Sequence, residues 1–133
     1  MKQFKNHISV VPKLNNSMPP LIDVSSLSKV KDTAKSINEL RILEKQLHQY
    51  YGKKPIIFCN EYYYNKYIAN NFKNNKVWIQ RYGKKLPSLF ETKKGIWQFS
   101  DSGQCNGIKG YVDMDYFNGD ISSFNEFIEN TKP

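Results

Sequence analysis

Apolar positions recur along this chain in two different periods, and the switches between them mark out the elements. Ile37, Leu40, Leu43, Leu47 and Tyr51 fall at helical spacing, so a helix is predicted over 37–51, with Ser36 and Glu39 as a capping box and Gly52 as its stop. Ahead of it, residues 1–17 read as a helix or loop ending at Ser17. The Pro19-Pro20 pair then forces extended backbone into a short strand, Leu21-Ile22-Asp23-Val24, and a polar loop follows. Beyond the helix, Pro55 to Phe58 is a continuous apolar run of the kind a parallel strand buried on both faces shows. Residues 61–71 are aromatic-rich and helical in pattern. Val77 to Tyr82 and Gly95 to Phe99 read as further strands, with Pro87 in the loop between them. Ser123 and Glu126 form a second capping box, for a short helix carrying Phe124, Phe127 and Ile128.

Strand, helix, strand, helix, strand is the order of right-handed parallel βαβ units, which places the chain in the α/β class. Its 133 residues suit one domain. A complete (β/α)8 barrel typically takes about 250 residues, so a full barrel is excluded. No repeat, low-complexity tract or linker divides the chain.

Charge and cysteines narrow the picture further. Twenty Lys and Arg against twelve Asp and Glu give a formal charge of +8, which favours approach to polyanions such as nucleic acid, anionic membranes or bacterial cell wall. The basic residues are scattered, with short pairs such as Lys53-Lys54, Lys84-Lys85 and Lys93-Lys94, and they form neither a recognition helix nor a polybasic arm. Nucleic acid is therefore not expected as a partner. Cys59 and Cys105 fit neither a disulfide framework nor metal-ligand spacing, so free thiols are expected, with no metal and no cofactor. The first residues lack the apolar core of a signal peptide, and no run is long enough for a membrane span. A cytoplasmic location follows unless another route exports the protein.

Chemistry-bearing residues collect at the apparent ends of strands. Trp97-Gln98-Phe99-Ser100-Asp101-Ser102-Gly103 and Val112-Asp113-Met114-Asp115-Tyr116-Phe117-Asn118-Gly119 bring aromatics, amides and carboxylates together, and Asp23 ends the Leu21 strand. Strand ends are where α/β barrels hold their active sites. With Lys54-Pro55-Ile56-Ile57-Phe58-Cys59-Asn60 and Val77-Trp78-Ile79-Gln80-Arg81-Tyr82, these segments resemble, in order and spacing, the later strands of the glycoside hydrolase family 25 muramidases, lysozymes that cleave peptidoglycan. The resemblance implies a partial, TIM-like (β/α) barrel of parallel strands over residues 1–133, lacking the first βα units. It implies peptidoglycan glycan strands as the partner.

Carried over residue by residue, the resemblance makes Asp23 and Asp113 catalytic carboxylates, and Trp78, Tyr82, Trp97 and Gln98 the lining of a saccharide groove. Sugar rings stack on aromatic faces while amides and carboxylates bond their hydroxyls, so these residue types suit a glycan. One position departs from the family. Its corresponding strand ends in Asp-x-Glu, whose Glu donates the proton, whereas here Asp23-Val24-Ser25 ends in a hydroxyl too weakly acidic for that task. Glycoside hydrolysis ordinarily needs two carboxyl groups, so impaired lysozyme activity is expected, the alternative being a non-catalytic peptidoglycan-binding or interaction module. Asp101 and Asp115 read as turn or capping residues. Tyr62-Tyr63-Tyr64 reads as packing for a helix, and Glu61 as a minor candidate for a displaced acid. A parallel sheet that starts at Leu21 should also leave an open edge, to be covered by residues 1–17, by self-association or by an upstream half-domain.

Overall fold

Gly52 ends the long helix where the apolar periodicity stops. Its φ of 70° is a left-handed value that glycine adopts without strain, and its N–H closes on the His48 carbonyl at 2.9 Å. The computed structural model describes residues 2–14, 17–25 and 33–129. Its elements are α1 (Lys2–Val10), β1 (Leu21–Asp23), α2 (Thr33–Tyr51), β2 (Ile56–Asn60), α3 (Glu61–Tyr63), β3 (Val77–Gln80), β4 (Ile96–Gly103), β5 (Val112–Phe117) and α4 (Ile121–Glu129). Helix α3 widens into a π-helical turn over Tyr64–Ile68, and a 3-10 turn covers Ser88–Glu91. The polar loop expected after Val24 falls largely on 26–32, outside the described residues.

Three boundaries differ from the sequence expectations. Helix α2 begins at Thr33, a turn before the Ser36–Glu39 pair, because Thr33, Ala34 and Lys35 contain no breaker. The last helix is capped by Asp120, whose Oδ1 accepts from the Ser123 N–H at 2.8 Å, so Ser123 is a capped residue and not the cap. Residues 61–71 are helical only to Ile68. Asn60 caps that stretch by accepting from the Tyr63 N–H at 2.8 Å.

The five strands lie in chain order, β1-β2-β3-β4-β5, with the first four parallel and β5 antiparallel to β4. No helix separates the last two strands. The loop between them turns back through Gly107 and Gly110, both at positive φ, so an antiparallel hairpin replaces another crossover.

Alternation along the strands divides the side chains between two cores. Ile22, Val24, Ile57, Cys59, Val77, Ile79 and Trp97 point to the outer face, beneath Ile37, Leu40 and Leu47 of α2 and Ile68. Leu21, Ile56, Trp78, Ile96 and Phe117 point to the inner face, where Phe127 and Ile128 of α4 pack against their lower ends. Two lysines hold the end of α4 in place. Lys76 donates to the Phe127 carbonyl, and Lys53 bridges the Ser17 and Ile128 carbonyls at 2.6 and 3.4 Å. Cations suit the negative end of a helix, so these contacts seal one end of the inner face.

Candidate active site

Above the apolar floor, the same alternation turns polar. Asp23 shares the face of Leu21, Asn60 that of Ile56, Gln80 that of Trp78 and Gln98 that of Ile96, because each stands two or four residues further along its strand. Register places Asp23 beside Phe58 and Phe58 beside Trp78, while Gln80 pairs with Gln98 and Gln98 with Asp115. The carboxyl ends of the parallel strands thus share a polar inner surface. Among the described residues, no three His, Cys, Asp or Glu side chains form a metal-binding group.

An amide chain runs along this surface. Gln80 Nε2 donates to Gln98 Oε1 at 3.0 Å and to the Tyr82 hydroxyl at 2.9 Å. Gln98 is only 6% exposed, so its amide orientation is held by these neighbours. Burial, followed by the charge of Asp101 and a hydrogen bond to it, pushes the Tyr82 phenol up from its ordinary value, with Asp113 adding to the effect. Asp101 lies inside β4 and acts on Tyr82, which corrects its reading as a turn residue.

Asp115 is the site residue that the sequence reading missed. It sits within β5 on the inner face, and the Trp78 indole Nε1–H donates to its Oδ1 at 2.6 Å. Although Asp115 is exposed, partial desolvation raises its carboxyl from the ordinary value, the Trp78 bond pulls it down, and the neighbouring charge of Asp113 raises it again. The available signal was the alternation of Val112, Asp113, Met114, Asp115, Tyr116 and Phe117, which puts both carboxylates on the face of Phe117.

Asp23 occupies the end of β1 as expected, exposed, and its Oδ1 accepts the backbone N–H of Ser25 at 2.8 Å. Ser25 is also exposed and brings no carboxyl group. Trp78, Tyr82, Gln98 and Asp23 therefore share one face of the sheet, with Asp23 two strands from Trp78, and alternation along β5 puts Asp113 on that face with Asp115.

Trp97 does not join them. It is 9% exposed and packs in the outer core, with its Nε1–H donating to the Arg81 carbonyl at 2.7 Å. The strand turns Gln98 inward and Trp97 outward, so one of two adjacent positions had to face away. Its role is to hold the backbone just before Tyr82.

The same loop is fixed from the other side. Glu61 pairs with Arg81 at 2.8 Å and accepts the Ser88 N–H at 3.3 Å, while Arg81 Nη1 donates to the Lys85 carbonyl at 2.6 Å. Glu61 is thereby a loop anchor in place of a displaced acid. Of the neighbouring tyrosines, Tyr63 and Tyr64 pack against the outer core and Tyr62 is exposed. Burial, with the nearby charge of Asp23, pushes the Cys59 thiol up to about 12, which leaves it inert as a nucleophile near neutral pH.

A mostly parallel five-stranded sheet with α2 on its outer face, α4 at one end of its inner face and polar side chains at its strand ends is a mixed α/β fold compatible with part of an α/β barrel. Comparison with known proteins narrows this. The family described as Glycosyl hydrolases family 25 matches residues 1–108. The uncharacterised protein YegX of Escherichia coli strain K12 is 29% identical over 133 residues, covering 98% of this chain and 47% of YegX. The autolytic lysozyme of Clostridium acetobutylicum is 33% identical over 89 residues, which is 65% of this chain and 27% of that protein. Among solved structures, a family 25 glycosyl hydrolase from Bacillus anthracis superposes with a TM-score of 0.79 at 28% identity, covering 95% of this chain and 61% of the other. The chain belongs to glycosyl hydrolase family 25. It spans about half the length of YegX.

Proposed function

We propose that this chain is a lysozyme-like domain that binds peptidoglycan glycan strands across its polar strand ends and hydrolyses them poorly. The observation that carries this reading is the convergence of Asp23, the Gln80–Gln98–Tyr82 amide chain and the Trp78–Asp115 pair on one surface. Family membership supports a glycosidase ancestry for that surface, and likeness to the autolytic lysozyme of Clostridium acetobutylicum supports peptidoglycan as the substrate. Asp23 and Trp78 stand two strand spacings apart, roughly 10 Å, with Phe58 between them on the same face and its ring edge-on to Trp78. Asp23 and Asp113 are the proposed catalytic carboxylates; Trp78, Tyr82 and Gln98 the proposed glycan contacts.

Poor hydrolysis follows from Ser25. General acid catalysis typically contributes about 10² to 10⁴ in rate, and a serine hydroxyl does not supply it near neutral pH. The second reading, a binding module without catalysis, is favoured by the same position: the Asp23 carboxylate accepts from the Ser25 backbone, and the side chain at position 25 is a hydroxyl in place of an acid. Two measurements on the whole chain decide between them. Sedimentation with insoluble peptidoglycan should retain the protein, and release of reducing sugar should be slow and rise with Ser25→Glu. Retention with no release from either form favours the binding module, and failure to sediment with the wall removes both.

A further inference from the structure

Two asparagines of this chain stand directly before glycine, Asn106 before Gly107 and Asn118 before Gly119. Such a step carries a chemistry of its own. The main-chain nitrogen of the second residue can close a succinimide ring on the asparagine amide, and glycine, which has no Cβ, shields that nitrogen least.

The fold gives the two steps opposite surroundings. Asn118 is half-buried just after β5, where its Nδ2 donates to the Phe90 carbonyl at 2.7 Å and to the Lys93 carbonyl at 3.4 Å. The Gly119 N–H donates to the Phe117 carbonyl at 2.9 Å. A Cβ placed on Gly119 would lie 2.6 Å from the Phe117 ring and 2.8 Å from Ser123 Oγ, so the peptide is closely packed as well. The amide and the nitrogen that would attack it are each held by another partner.

Asn106 lies beyond the last hairpin pair, Gly103 with Val112, in a loop over 104–111 that is exposed at every residue. The Ile108 N–H donates to the Cys105 carbonyl at 3.0 Å and closes a turn around Asn106 and Gly107. Among the described residues neither the Asn106 amide nor the Gly107 N–H has a hydrogen-bond partner. Gly107 has a φ of 88°, with open space where a Cβ would stand. Ring closure requires Asn106 to rotate until its Cγ faces the Gly107 nitrogen, and both residues stand in water to do so.

We propose that Asn106 is a site of spontaneous deamidation in the folded protein, and that Asn118, with the same following residue, is protected from it. Hydroxide takes the Gly107 amide proton and the nitrogen attacks Asn106 Cγ. The Cγ–Nδ2 bond then breaks, and ammonia leaves with a proton from water. Water next opens the succinimide. Cleavage of the new Cγ–N bond gives aspartate, and cleavage at the main-chain carbonyl gives isoaspartate, in which the chain continues through the former side chain. Nothing is oxidised or reduced. Either product replaces a neutral amide with a carboxylate and lowers the formal charge of +8 by one. The new charge falls at the tip of the hairpin whose strands carry Asp101 and Asp113.

The test incubates the whole chain at pH 7 and pH 8, folded and in urea, and follows both steps by peptide mapping with mass spectrometry. The urea samples give the rate of each step without the fold. In the folded chain Asn106 should convert within about tenfold of its urea rate, whereas Asn118 should be slowed at least about tenfold relative to its own. The Asn106 rate should rise about tenfold from pH 7 to 8, as the deprotonated fraction of a group far below its pKa does. Asn106→Gln should stop the conversion at that position without changing the melting temperature, because the longer amide closes its ring far more slowly. Asn106 slowed tenfold or more by folding, Asn118 converting as fast as Asn106 in the folded chain, or an Asn106 rate that does not change between pH 7 and 8 would overturn the proposal.

Discussion

The indole of Trp78 on β3 donates to the carboxylate of Asp115 on β5, at 2.6 Å, across the intervening strand β4. This bond ties the parallel and antiparallel parts of the sheet together on the inner face. It also places an aromatic ring and a carboxylate side by side, the pairing that a sugar ring with its hydroxyls would use.

Asp115 has a carboxyl raised in the folded protein, chiefly by partial desolvation, and this fixes the sign of its pH effect. Its contribution to stability is fully present below the unfolded value near 3.8 and is lost as pH rises through the folded value. Asp115→Asn should therefore melt at or above the parent temperature at pH 7, and this difference should shrink as pH is lowered below 4. Melting curves from about pH 3 to 7 check it.

The two tryptophans should separate cleanly by readout. Trp97→Ala empties a buried core position and should cost about 3 to 5 kcal/mol, lowering the melting temperature by more than about 10 °C. Trp78→Ala removes a half-buried inner-face ring and the donor to Asp115, so sedimentation with peptidoglycan should weaken while the chain remains folded. Thermal melts and wall binding on both variants test the division.

Gly95 precedes β4 where the backbone of β3 comes close. A Cβ added there would lie 2.7 Å from the Val77 carbonyl oxygen and 2.5 Å from the Phe90 ring, and the carbonyl belongs to a paired strand. Gly95→Ala should destabilise by about 1 to 3 kcal/mol, read as a shift of the urea midpoint without change in its slope.

His7 titrates in the opposite sense to Asp115. Burial lowers its pKa below 6.5, so the unfolded form binds more protons between the two values and stability rises with pH in that window. The contribution is complete above 6.5 and is lost as pH falls through the folded value. Amide exchange in α1, corrected for its intrinsic pH dependence, should speed up between pH 7.5 and 5, and His7→Leu should flatten that response.

Much of the fold was legible because its signals are local. The double proline before Leu21, the apolar run from Pro55 and the helical repeat ending at Gly52 each name an element without reference to the rest of the chain. Faces were harder. Trp97 and Gln98 are adjacent in the chain, and nothing in that dipeptide says which one turns toward the helices; the bond from Trp97 to the Arg81 carbonyl is a tertiary fact. Asp115 was misread for a related reason, since aspartate favours turns until a partner such as Trp78 stabilises it in a strand. Start positions of helices slipped where two capping patterns competed, as Asp120 and Ser123 do.

The last helix closes one end of the inner face, with Phe127 and Ile128 filling the space between the lower strands and Lys53 and Lys76 fastening its terminus. Without Phe127 and Ile128, water would reach the apolar floor formed by Leu21, Ile56, Trp78 and Ile96 from the end opposite the polar strand ends.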